Sequence, residues 1–178
     1  MKRSRFVILL SSFFILFTIM IFTGCATFPV TDVTSRTLLD VDEGILITKI
    51  RTNVNNSYIY IHGKDEKWPW VKFKPVKAPE DLRVIKIKSG ESNFSKFFRG
   101  DSFVWGDRNY FFIKPGTITY VGDLVVEWSS ESGGPAAYIL LIDREDETVA
   151  EAKEKYPEIF EKYPYFKKIP KQCSIERE

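Results

Sequence analysis

Apolar and polar residues alternate in short runs through the middle of this chain, and the pattern changes at both ends. Ser57 to His62 sets Ile59 and Ile61 against Tyr58, Tyr60 and His62, the two-residue period of a half-buried strand. Gly44 to Arg51, Trp70 to Val76 and Leu82 to Ile87 read as further strands. They are divided by the turn Asn53-Val54-Asn55-Asn56 and by Pro75, Pro79 and Glu80-Asp81. Phe103 to Trp105, Asn109 to Lys114, Thr117 to Trp128 and Ala136 to Asp143 follow. Pro115-Gly116 offers the fixed φ and the free φ that a type II turn wants. About seven to nine short strands at this spacing predict a mainly β fold, an antiparallel β-sandwich-like domain.

After Asp143 the period becomes helical. Val149, Ala152 and Tyr156 share one face, and Asp143, Glu145, Asp146 and Glu147 stand where a helix dipole favours acids. Pro157 ends this helix or opens a second carrying Ile159, Phe160 and Tyr163. Lys155-Tyr156-Pro157 recurs as Lys162-Tyr163-Pro164, which reads as two successive short turns rather than a repeat architecture. A short C-terminal helical appendage, its aromatic side against the sandwich, is the expected result.

The other end begins Met1-Lys2-Arg3-Ser4-Arg5, runs apolar from Phe6 to Phe22 and closes Thr23-Gly24-Cys25, the layout of an export signal. Ile21-Phe22-Thr23-Gly24-Cys25 resembles the lipobox of bacterial lipoproteins, with Phe22 in place of the family's usual leucine. The resemblance implies cleavage between Gly24 and Cys25 and a diacylglycerol on the Cys25 sulfur. With Ala26 next, it implies transfer to an outer membrane, on its periplasmic or surface face. An uncleaved membrane anchor and a plain secretory signal are the alternatives. The expected organisation is a signal peptide at 1–24 and a lipidated end with a tether at 25–43. A sandwich with terminal helices at 44–163 and a tail at 164–178 complete it. Phe112 to Leu124, with its Pro-Gly turn and Tyr-x-Gly-x-Leu core, also loosely resembles uncharacterised envelope lipoproteins with β-sandwich domains, which bears on fold and carries over no catalytic residue.

Composition narrows the partners. Of the 26 Lys and Arg, three (Lys2, Arg3, Arg5) belong to the signal, leaving 23 against 24 acids in the mature chain. No long basic block remains to neutralise phosphates, so a nucleic-acid partner is not expected. With Cys25 lipidated, Cys173 is a single thiol and an intramolecular disulfide is ruled out.

Candidate chemistry is sparse. His62 is the one histidine, too few for Cys/His metal ligation, and no serine lies in a nucleophile-elbow context to use it. No cofactor, metal or catalytic residue is expected. Acids cluster at Asp40 to Glu43, Asp65-Glu66, Glu80-Asp81 and Asp143 to Glu147; two that converge would run carboxylate-dependent hydrolysis. The last cluster lacks the spacing of a Ca²⁺ loop and fits helix-start electrostatics. Trp68, Trp70 and Trp105 offer flat rings to a sugar or apolar ligand, against the alternative of core packing. Arg99-Gly100-Asp101 matches the tripeptide that some adhesion proteins show to integrins, with turn chemistry as the alternative. The sequence therefore reads as a lipid-anchored, non-enzymatic envelope module for structure, assembly or recognition. Its membrane contact runs through the N-terminal lipid, and an envelope protein, glycan or host protein is its partner. A carbohydrate- or host-ligand-binding lipoprotein and a hydrolase are the alternatives.

Overall fold

Two β-sheets face one another in the computed structural model, which describes residues 31–64, 71–73, 76–106, 110–129 and 136–167. The strands are β1 (Thr31–Asp32), β2 (Glu43–Thr52), β3 (Ser57–Gly63), β4 (Val71–Lys72), β5 (Glu80–Lys88) and β6 (Gly90–Arg99). They continue as β7 (Ser102–Trp105), β8 (Tyr110–Ile113), β9 (Ile118–Tyr120), β10 (Asp123–Ser129), β11 (Ala136–Ile142) and β12 (Tyr165–Lys167). Helices α1 (Glu145–Lys155) and α2 (Pro157–Lys162) lie between β11 and β12.

One sheet has seven strands, in the order β1-β5-β2-β10-β11, with β9 on β2 and β12 on β9. The other has five, in the order β4-β3-β6-β7, with β8 also on β6. Side chains alternate across each strand, so the longer strands send one set of residues between the sheets. Leu46, Ile50, Ile85, Leu124 and Trp128 from one sheet meet Ile59, Ile61, Phe94, Phe97 and Phe111 from the other. A second core lies on the far side of the seven-stranded sheet. There Ile45, Ile47, Ile118 and Tyr120 are covered by Val149 and Ala152 of α1 and Ile159 of α2. Tyr156, Phe160 and Tyr163 pack against this second core, as the helical period predicts.

The mainly β sandwich with a C-terminal helical appendage is therefore the architecture. The five-stranded sheet is antiparallel throughout. In the other sheet β2 runs parallel to both β9 and β10, and β12 runs parallel to β9. Thr117 to Trp128, expected as one strand, is two, because Gly122 takes a φ of 100° between them. Pro115-Gly116 makes the expected turn, with Gly116 at a φ of 68° that glycine adopts at no steric cost. The Gly90–Arg99 strand, absent from the sequence reading, is central to the five-stranded sheet.

The tether expected through residue 43 is corrected for its described part. Thr31 and Asp32 pair with Lys86 and Ile85, and the Val33 N–H donates to the Val84 carbonyl at 3.1 Å. Val33 is buried in the second core, and Leu39 packs against it. The Tyr163 hydroxyl donates to the Thr37 carbonyl at 3.2 Å and accepts the Leu39 N–H at 3.2 Å. Apolar burial at Val33 and Leu39, two isolated positions without a period, is what the composition of this segment concealed. The boundary at residue 163 shifts likewise, since Tyr165–Lys167 forms β12.

Candidate functional site

Strands β3, β6 and β8 bury alternate residues between the sheets and β7 half-buries its own, which turns the others outward to one face. Register sorts the outward residues into rows. Tyr58, Phe98 and Phe103 lie side by side in the first; Lys72, Tyr60, Lys96 and Trp105 form the second. His62, Asn93 and Tyr110 make the third, and Glu91 with Phe112 the fourth. The β6 strand keeps this order by a bulge: Tyr60 opposes Lys96 and Ile61 opposes Phe94, leaving Ser95 unpaired.

The rings touch in sequence across three strands. Centroids are 5.1 Å apart for Tyr60 and Phe98, 5.4 Å for Phe98 and Phe103, and 5.8 Å for Phe103 and Trp105, the last pair edge to face. The Lys96 ammonium lies 4.1 Å from the Trp105 centroid and that of Lys72 lies 4.4 Å from Tyr58, both within cation–π range. Trp105 is 58% exposed and Phe103 43%. No described element packs on this face. In its first two rows the charged side chains are lysines, and Glu91 in the fourth row is held by Lys64 at 2.9 Å. Burial, and then the charge of Lys96, lowers the His62 pKa from its ordinary value, so the ring is neutral at neutral pH.

The opposite outer face carries a polar cluster that sequence reasoning missed. Asp123 is fully buried beneath α1. Thr148 Oγ1 donates to its carboxylate at 2.8 Å, the Tyr120 hydroxyl donates at 3.1 Å, and the Arg51 Nε lies 3.7 Å away. Burial raises the Asp123 carboxyl above its ordinary value against the opposing pull of Thr148, Tyr120 and Arg51. Beside it the nearly buried Lys49 meets Glu151 at 2.6 Å and Glu147 at 3.6 Å, and Arg51 bonds to Glu80 and Glu147. These contacts join β2 and β10 to α1. Asp123 is closed from solvent and aimed at donors of its own fold, which is the geometry of a latch rather than of a reacting group.

The sequence-predicted residues separate. Trp105 stands on the aromatic face, whereas Trp128 is in the core. Arg99 and Asp101 are both exposed at the turn joining β6 to β7, next to Phe98 and Phe103, with Gly100 at a φ of 59°. Trp68, Trp70, Gly24, Cys25 and Cys173 lie outside the described residues. The acids at the start of α1 line a shallow depression of about 350 Å³ with Arg144 and Lys167. Two of them are engaged there: Lys167 bonds to Asp143 at 2.9 Å and to Glu145, which also accepts from the Tyr165 hydroxyl at 2.7 Å. Among the described residues no group of His, Cys, Asp or Glu is arranged to hold a metal ion, and no helix is long and apolar enough to cross a membrane.

Neither a protein-family model nor any curated protein gives a match to this chain.

Proposed function

We propose that the protein is a lipid-anchored, non-enzymatic recognition module of the cell envelope, held by acyl chains on Cys25 and reading its ligand with the outer face of the five-stranded sheet. The ring ladder from half-buried Tyr60 and Phe98 to exposed Phe103 and Trp105 carries this reading. A contiguous exposed apolar patch rimmed by polar groups marks a binding surface in soluble domains. The non-enzymatic character draws support from the acids, since those brought near one another by the fold are bonded to Lys49, Arg51 and Lys167.

Anchoring sets a further condition. Thr31 is paired in the sheet, and the five residues between it and Cys25 let the two lie at most about 20 Å apart when fully extended. The domain then rides close to the bilayer, which favours a partner within the envelope or at its surface. Two acyl chains, each buried CH₂ contributing about 0.8 kcal/mol, hold such a protein durably.

The test separates anchor from face. Mass spectrometry of native protein is expected to find a diacylglycerol on Cys25; an unmodified thiol there contradicts the anchor. The unlipidated Cys25→Ala protein, added to isolated envelopes, is expected to be retained saturably. The same protein carrying Phe103→Ala and Trp105→Ala is expected to wash off. Equal retention of the two contradicts recognition through this face.

A further inference from the structure

We propose that the aromatic and lysine face binds an acidic glycan, a polymer of sugar rings bearing carboxylate or phosphate groups, laid across β3, β6 and β7. The inference rests on reading this face as the recognition surface and adds the chemistry of the ligand. Every apolar side chain that the first two rows turn outward is aromatic, while Ile59, Ile61 and Val104 of the same strands turn inward to the core. Aromatic faces are electron-rich and suit the partly positive C–H faces of sugar rings, and they supply contact area at low entropic cost. An acyl chain or an apolar helix is better met by aliphatic side chains.

Charge specifies the rest. Lys96 lies against Trp105 and Lys72 against Tyr58, so an anion reaching either ammonium brings its own ring beside an aromatic one. Charge-assisted hydrogen bonds from lysine are stronger than neutral ones. No carboxylate stands in the first two rows to repel an anion. The strip is open and crosses strands about 4.8 Å apart, which fits an extended polymer better than a single enclosed sugar.

The fold also weighs against the bilayer as occupant. The chain enters opposite Lys86, near the end of β5 that turns directly into the start of β6. Lys96 and Phe98 lie toward the far end of β6, away from the end beside which Thr31 pairs.

The full chain from residue 25, carrying Cys25→Ala, is titrated with polygalacturonate, dextran phosphate and uncharged dextran. A single-stranded oligonucleotide and vesicles of mixed zwitterionic and anionic phospholipid are run beside them. Both acidic polymers are expected to bind at least about tenfold more tightly than dextran. Lys72→Gln with Lys96→Gln is expected to erase that difference, and Trp105→Ala to weaken acidic and neutral polymers alike by about tenfold. Unchanged melting temperatures show that the variants fold. Equal binding of charged and uncharged polymers, or tighter binding of the oligonucleotide or the vesicles, overturns the proposal. If no polymer binds while Trp105-dependent retention on envelopes persists, the acidic-glycan assignment falls and the recognition face stands. Loss of that retention as well removes both.

Discussion

The two outer faces of this sandwich are made by the same alternation of strands and finished in opposite ways. On the seven-stranded sheet, Ile45, Ile47, Ile118 and Tyr120 are closed over by α1 and α2. The charges drawn into that interface are matched: Lys49 meets Glu151, and Asp123 lies under Thr148, Tyr120 and Arg51. On the five-stranded sheet, Phe103 and Trp105 remain in solvent, and Lys96 rests on rings. A closed face contributes to stability and offers nothing to a ligand. An open one contributes little to stability and is available for binding.

The largest expected effect breaks the closed face from its edge. A chain beginning at Gly44 lacks β1, the buried Val33 and the packed Leu39. Burial of one such side chain contributes about 1.5–3 kcal/mol, so the loss relative to a chain beginning at Thr31 is expected at about 3 kcal/mol or more. Denaturant midpoints measure it, and equal midpoints mean that residues 31–43 are only a tether.

A smaller effect tests the latch. Asp123→Asn keeps the shape and, with its amide oxygen where Tyr120 and Thr148 both donate, turns an N–H toward the Arg51 Nε that lies 3.7 Å from the second carboxylate oxygen, a cost of about 1–3 kcal/mol. Its pH dependence has a definite sign. The folded-state pKa of Asp123 is raised above the ordinary 3.8, so the folded state holds the proton more tightly than the unfolded chain. The contribution of this carboxyl is full below 3.8 and falls as pH rises through the raised value. Asn does not titrate, so the stability gap between native protein and variant narrows on going from acid to neutral pH. Melting curves across that range check it, and a gap that widens contradicts a raised pKa.

The smallest effect belongs to the open face. Phe103→Ala or Trp105→Ala is expected to cost about 0.5 kcal/mol, the scale of a surface substitution. A loss of several kcal/mol in chemical denaturation would show that these rings are packed as core.

Much of this contrast was legible in the sequence. Tyr58, Tyr60 and His62 alternate with Ile59 and Ile61, and the structure places the two sets on opposite sides of β3. Trp105 was readable as a candidate ring, but its neighbours Tyr60, Phe98 and Phe103 were not readable as a ladder. Strand β6 was hidden because Gly90-Glu91-Ser92-Asn93 has the composition of a loop and the bulge at Ser95 breaks the two-residue period. The ladder depends on that strand, since Phe98 bridges Tyr60 to Phe103. Asp123 was hidden for a different reason. A single acid in the run from Tyr120 to Val126 carries no local mark of burial, and its partners, the Thr148 donor and the Arg51 charge, come from distant positions. The signal that was present is Lys49 and Arg51 continuing the face of Ile45 and Ile47, where two cations on an otherwise apolar side call for acids from another element.

The most direct measurement pairs a thermal melt with a binding titration on the Phe103→Ala, Trp105→Ala double variant, using envelopes or polygalacturonate as the binding partner. A melting temperature within about 4 °C of the native protein is predicted, which corresponds to about 1 kcal/mol for a chain of this size. Binding is predicted to fall by more than about tenfold. A melting temperature lowered well beyond that range, or binding left intact, would contradict an outer face built for recognition rather than for stability.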